Sequence, residues 1–193
     1  GAKMVKDIFP GSGNGGSVSS KPLDGELIFI AFNNIFEKGL WRTDGTTAGT
    51  EKIKELPFSR DTDYLIPFNN QLFFTIGDLE LWRTDGTTAG TVLVKKIRTD
   101  DRGTSGIGNY AVLDNLLLFY AMSDNSTGQE LWRTDGTTAG TQMVKDINPG
   151  PNGSKYYAGF NPGVLENKVF FPANDGVHGV ELWLSDGTTA GTQ

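Results

Sequence analysis

Carboxylates at a repeated spacing are the first residues of this chain that could do chemistry. Asp44, Asp85, Asp135 and Asp186 each open the string "DGTTAGT". The threonine hydroxyls that follow complete a set of oxygens suited to proton transfer or to a hard cation. A catalytic carboxylate, however, needs a second acid or base fixed beside it, and each copy supplies a single acid. The same residues are also turn chemistry: Asp accepts bonds from backbone N–H groups two residues on, Gly takes positive φ, and Thr hydroxyls satisfy neighbouring backbone. The four aspartates are therefore read as hairpin locks.

Other candidates lie between the copies. Asp61 and Asp63 in "SRDTDY" and Asp100 and Asp101 in "RTDDRGTSG" are close acids that a glycoside hydrolase or lyase could use. Phe36, Tyr156 and Tyr157 are aromatics beside amides and carboxylates, a composition suited to a sugar or peptide. "SDNSTG" at 123–128 clusters oxygens without the full spacing of a calcium loop, so no metal or other cofactor is expected. The single histidine, His178, reads as a polar turn residue. With no cysteine, disulfides, thiolate catalysis and cysteine zinc sites are excluded.

The elements that must position these residues follow from the repeat. "LWRTDGTTAGT" occupies 40–50, 81–91 and 131–141, and "LWLSDGTTAGT" occupies 182–192. Trp41, Trp82, Trp132 and Trp183 are 41, 50 and 51 residues apart, a period of blades, solenoids or arrays. Three strand-like segments precede each motif, as in "GVLEN", "KVFFPAND" and "ELWLSD"; a fourth follows in "EKIKEL" (51–56), "VLVKKI" (92–97) and "QMVKDI" (142–147). No segment sustains helical apolar spacing over three turns. The expectation is all-β: a β-propeller of four-stranded antiparallel blades, four repeats in one domain over 1–193. The last copy lacks a following strand, whereas "KMVKDIFPG" at the start matches "QMVKDINPG" at 142–150. Residues 1–9 are expected to supply the outer strand of the blade formed by about 155–193, closing the ring. The tryptophans, each able to remove about 150–250 Å² from water, are expected to pack between blades.

"ELWRTDGTTAGT", "KVFFPANDGVHGVELWLSDGTTAGT" and "VKDINPGPNGS" resemble the bacterial ELWxxDGT repeat proteins. That resemblance covers all four units and implies a β-propeller-like fold and a secreted or cell-surface setting, with no general activity to carry over. The motif also resembles, in role, the Asp-box of sialidase-type propellers. Gly39 stands where the pattern has Glu, and Leu184 replaces the arginine of Arg42, Arg83 and Arg133.

Length variation falls between the copies. From the motif's last Thr to the Asn before the second strand there are 20, 24 and 26 positions, and from that Asn to the Trp 12, 17 and 16. In an antiparallel blade both intervals emerge on one face, opposite the invariant hairpins. Binding is expected on that variable face. The net charge of −6 argues against nucleic acid. No apolar run approaches the roughly 20 residues that cross a bilayer, so no membrane insertion is expected. The leading expectation is a non-enzymatic scaffold or binding module for a glycan or protein ligand; the alternatives are a carbohydrate-active enzyme and an amplified or engineered repeat without ligand. The ring closes either as four blades within one chain or as eight blades from two chains joined head to tail, and the lower curvature of eight favours the two-chain ring.

Overall fold

The computed structural model describes residues 1–34, 36–56, 64–76, 80–98, 108–155 and 162–193. The sheets are meanders, each strand hydrogen-bonded to the next in sequence. The first holds β1 (Ser17–Leu23), β2 (Glu26–Asn34), β3 (Glu37–Thr43) and β4 (Glu51–Leu56). The second holds β5 (Ile66–Phe68), β6 (Gln71–Ile76), β7 (Glu80–Thr84) and β8 (Val92–Lys96). The third holds β9 (Gly108–Leu113), β10 (Leu116–Ala121), β11 (Glu130–Thr134) and β12 (Gln142–Lys145). The fourth has three strands, β13 (Gly163–Leu165), β14 (Lys168–Asn174) and β15 (Val180–Ser185). The strands read after the motif, "EKIKEL", "VLVKKI" and "QMVKDI", coincide with β4, β8 and β12 within two residues.

Two-residue turns start each meander. Asp24–Gly25, Asn69–Asn70, Asp114–Asn115 and Glu166–Asn167 connect the first strand to the second, closing on Leu23↔Glu26, Phe68↔Gln71, Leu113↔Leu116 and Leu165↔Lys168. Asp24, Asn69, Asp114 and Glu166 all have φ between 46° and 50°. Positive φ suits the primed turns that match strand twist, and Asp or Asn tolerate it best. Glu166 is the one longer side chain among the four.

The chain divides into two compact units, Gly1–Gly77 with Leu81–Leu93, and Asp78–Glu80 with Val94–Gln193. In the first unit Ile28, Ile30 and Leu40 of the first sheet pack with Leu72, Phe74 and Ile76 of the second, with Ile53 and Leu56 of β4 at the margin. In the second unit Leu118, Tyr120 and Leu131 pack with Val169, Phe171 and Ala173, with Val144 and Ile147 at the margin. β6 and β10 are buried on both faces from their second residue onward, whereas β14 alternates and buries one face only. That contrast reflects position: a central strand between two covered faces becomes a continuous apolar run, while a strand with one covered face alternates. A smaller cluster, Phe29, Ala31 and Trp41 with Ile8, lies on the other face of the first sheet.

Residues 1–9 differ from the sequence expectation: they form no strand. They nevertheless lie against the first hairpin, where Thr47 Oγ1 donates to Val5 O (2.6 Å) and Lys6 Nζ donates to Thr50 O (2.6 Å).

Candidate functional site

Each "DGTTAGT" builds the same closed turn. In the first copy Asp44 Oδ1 accepts from Thr46 N (2.8 Å) and Thr46 Oγ1 (2.7 Å), while Thr46 Oγ1 accepts from Gly49 N (2.9 Å). Thr50 Oγ1 donates to Thr46 O at 2.6 Å, which uses its one proton. The 2.6 Å contact between Thr43 and Thr50 hydroxyls is therefore donated by Thr43. Asp85, Asp135 and Asp186 repeat the carboxylate bonds to Thr87, Thr137 and Thr188. In the fourth copy Ser185 takes the place of Thr43 and pairs with Thr192 at 2.8 Å. The threonine hydroxyl bond, followed by the backbone N–H bond, holds all four carboxyls below the usual aspartate range. A carboxyl held ionised cannot donate a proton near neutrality, and its Oδ1 is already engaged by its own turn.

The aromatic half of the motif is interior. Trp41 and Trp132 are buried, and Trp41 stacks on Phe29 across the β2–β3 ladder, centroids 6.4 Å apart. Trp82 and Trp183 are half-buried beneath lysines of preceding outer strands, Lys54 at 4.8 Å and Lys145 at 5.6 Å from the ring centroids. The arginines diverge: Arg42 pairs with Glu26 and Glu51, Arg83 donates to Gln71, and Arg133 donates to Gly187 O.

The loops at the opposite end of each meander differ from one another. Between β2 and β3 the side chain of Phe36 is 70% exposed, its backbone N–H held by Asn34 Oδ1 at 2.7 Å. Asn33 Nδ2 donates to Glu37 (3.4 Å) and to Glu55 (3.2 Å), Asn34 donates to Glu37, and Lys52 pairs with Glu55. Partial burial pushes the Glu55 carboxyl up, but the bonds from Lys52 and Asn33 outweigh it and hold the group below the usual glutamate range. An exposed ring thus stands in a loop of amides and carboxylates.

Between β10 and β11 the oxygens of "SDNSTG" are engaged by the protein's own donors. Asp124 Oδ1 accepts from Ser126 N and Oγ, and Asn125 Oδ1 accepts from the buried Arg98 at 2.7 Å. A guanidinium already serves this loop. Glu130 is fully buried beneath it, accepting from Ile147 N (3.0 Å), Asn148 N (3.3 Å) and Ser154 Oγ (2.6 Å). Burial raises its carboxyl above the usual range against those bonds. Glu130 fastens the turn after β12 to the start of β11, a role that sequence reading missed; the repeated Glu of "ELW" was the available signal. Between β14 and β15, Asp175 Oδ1 accepts from Val177 N and His178 N, and Asp175 Oδ2 meets His178 Nδ1 at 2.7 Å. The bond from the Asp175 carboxylate raises the exposed imidazole above its ordinary value.

Of the predicted ligand residues, Phe36 is placed at this loop end; Asp61, Asp63, Asp100, Asp101, Tyr156 and Tyr157 lie outside the described residues. Among the described residues no three His, Cys, Asp or Glu side chains gather as a metal set.

No protein-family model matches the chain, and no curated protein matches it. Among solved structures the chain is similar to puromycin hydrolase, 14% identical with a TM-score of 0.57 over 90% of this chain and 27% of that one. It is also similar to BamB from Moraxella catarrhalis, 13% identical with a TM-score of 0.49 over 92% and 50% of the two chains. A third is the computationally designed Ika4 protein, 14% identical with a TM-score of 0.47 over 94% and 98%. The chain spans about a quarter of puromycin hydrolase and half of BamB. The likeness to puromycin hydrolase concerns fold alone, and with the repeated antiparallel meanders the fold is a β-propeller-like repeat.

Proposed function

We propose that the chain is a non-enzymatic β-propeller scaffold or binding module that engages a glycan or protein ligand through the loops opposite its hairpins. The observation that carries this reading is a contrast in saturation. All four "DGTTAGT" turns spend the Asp Oδ1 and the threonine hydroxyls on partners within the fold, whereas the β2–β3 loop holds the Phe36 ring exposed in a stretch that also carries Asn33, Asn34 and Glu37. An exposed ring flanked by amides and carboxylates offers a stacking face and hydrogen bonds at once, which is what a sugar or a polar peptide requires. The resemblance to ELWxxDGT repeat proteins supports a setting at the bacterial surface or outside the cell.

A glycan array with a parallel pull-down from bacterial surface extracts tests this. The expected result is a ligand whose affinity falls roughly tenfold, about 1.4 kcal/mol, in Phe36→Ala while circular dichroism is unchanged. Binding indifferent to Phe36 would remove the loop from the site. Turnover of a polysaccharide, lost on an Asp→Asn change at Asp61, Asp63, Asp100 or Asp101, would replace the binding reading with the carbohydrate-active one.

A further inference from the structure

Three repeats open the motif with Glu, at Glu80, Glu130 and Glu181, and the first opens it with Gly39. In the third repeat that side chain is buried between β11 and the turn after β12, where it accepts from Ile147 N, Asn148 N and Ser154 Oγ. The first repeat has no side chain to put there. Gly39 does not have positive φ, so backbone conformation does not demand glycine. A Cβ on Gly39 would stand 2.5 Å from Trp41 Nε1 and 3.0 Å from Lys52 Cδ. The indole N–H and the lysine stem thus close over bare backbone.

Two polar atoms on this face lack partners. Trp41 is 8% exposed, and among the described residues its Nε1–H has no acceptor. Asn33 Oδ1 is likewise buried with no donor among the described residues. Its orientation is fixed: Asn33 Nδ2 donates to Glu37 and Glu55, and a turned amide would set its oxygen against both carboxylates. Glu55 is the cross-strand partner of Gly39 and Lys52 that of Trp41, so amide, carboxylate, lysine and indole share one face of the first sheet. Trp132 Nε1 is also buried without an acceptor among the described residues, but there Glu130 occupies the position that Gly39 leaves bare. A buried donor and a buried acceptor left unpaired are costly, and both call for a partner.

We propose that the notch at Gly39 is a sugar subsite, taking adjacent hydroxyl groups of a neutral glycan; this rests on the proposed binding role of the β2–β3 loop, which carries Asn33, Phe36 and Glu37. One hydroxyl accepts from Trp41 Nε1, and its neighbours donate to Asn33 Oδ1 and to the carboxylates of Glu37 and Glu55. Acceptors outnumber donors here, because Lys52 is already held by Glu55. A hydroxyl both accepts and donates, whereas a peptide backbone brings one N–H per residue, and an anionic sugar would meet two carboxylates. Lys52, with 38% of its side chain exposed, is the cover that swings aside to admit the hydroxyl.

The indole N–H resonances of the full chain, one from each of four tryptophans, provide the test, with Trp41 assigned by the signal lost in Trp41→Phe. The probes are the methyl glycosides of glucose, galactose and mannose, with glucuronic acid as the charged control and trialanine as the peptide control. At least one neutral glycoside, at millimolar concentration, is expected to move the Trp41 signal alone, and neither control is expected to move it. Gly39→Ala fills the notch with a methyl group and is expected to weaken that binding roughly tenfold or more at unchanged circular dichroism. Lys52→Ala uncovers the indole; it is expected to speed exchange of the Trp41 N–H with solvent and to keep or tighten binding, a readout that stands even if Gly39→Ala fails to fold. A Trp41 signal unmoved by all three glycosides, an equal response to either control, a Gly39→Ala protein that binds like the parent, or a Lys52→Ala protein that no longer binds would each overturn the subsite. A ligand lost in Phe36→Ala that leaves the Trp41 signal still would keep the loop as a binding site and remove this subsite alone.

Discussion

A methyl group added to Gly140 would overlap the carboxylate of Asp135, and the same is true of Gly49, Gly90 and Gly191 against Asp44, Asp85 and Asp186. Gly140 does not have positive φ, so the second glycine of the motif is demanded by close approach rather than by backbone conformation. Gly136, by contrast, has φ of 92° and serves the turn itself. Gly140→Ala is expected to lower stability by about 1–3 kcal/mol, the usual cost of overpacking. Because the obstacle is one named side chain, the Asp135→Ala/Gly140→Ala double variant should cost clearly less than the sum of its parts. Urea denaturation of the four proteins measures this, and additive losses would show that carboxylate and glycine do not meet.

Glu130 has a comparable place among the elements, since it joins β11 to the turn after β12 through two backbone N–H groups and the Ser154 hydroxyl. Truncation leaves those donors unpaired in the interior. Glu130→Ala is expected to cost about 3 kcal/mol and Ser154→Ala about 1 kcal/mol. Thermal melts would detect both, and a Glu130→Ala loss no larger than that of Ser154→Ala would refute the fastening role. The alternation in "EKIKEL" and "QMVKDI" made β4 and β12 legible from sequence, because an outer strand with one covered side needs that pattern. The environment of Glu130 was not legible. The same Glu is exposed at Glu181 and half-buried at Glu80, so burial depends on what a distant loop brings, here Ser154 from 24 positions on. Phe36 was legible as a candidate because an aromatic in a polar loop stands out; Glu55, which bonds Asn33 of the same loop, and its partner Lys52 were not, since they arrive from a different strand.

At the scale of the whole molecule, four carboxylates titrate in parallel. Each has its folded value depressed, so its contribution is present above the unfolded value near 3.8 and is lost as pH falls through the folded one. The contribution of these four turns is therefore expected to be constant above about pH 5 and to decline together in all four repeats below about pH 4. Melting curves between pH 2.5 and 6 on the order of half a unit apart would show it; an unchanged melting temperature at pH 3 would mean that the turns are held without their charge. Glu130 runs the other way: its value is raised, so it favours the fold below the ordinary glutamate range and loses that advantage as pH rises. Four repeats were legible from the spacing of four tryptophans and the antiparallel order of strands from the segments around each motif, whereas the lack of a strand over residues 1–9 was not, because "MVKDI" at 4–8 is the same string that runs through β12. Thr88, Thr138 and Thr189 hydroxyls donate to Ile53 O of β4, Val94 O of β8 and Val144 O of β12, so each outer strand meets the hairpin of the following repeat through the same bond. These bonds use chemistry common to all copies, so an outer strand displaced by a whole repeat meets a seat that accepts it nearly as well. Concentrated refolding should therefore generate mixed chains with interchanged strands, and only the unequal loops can make those mispairings unfavourable.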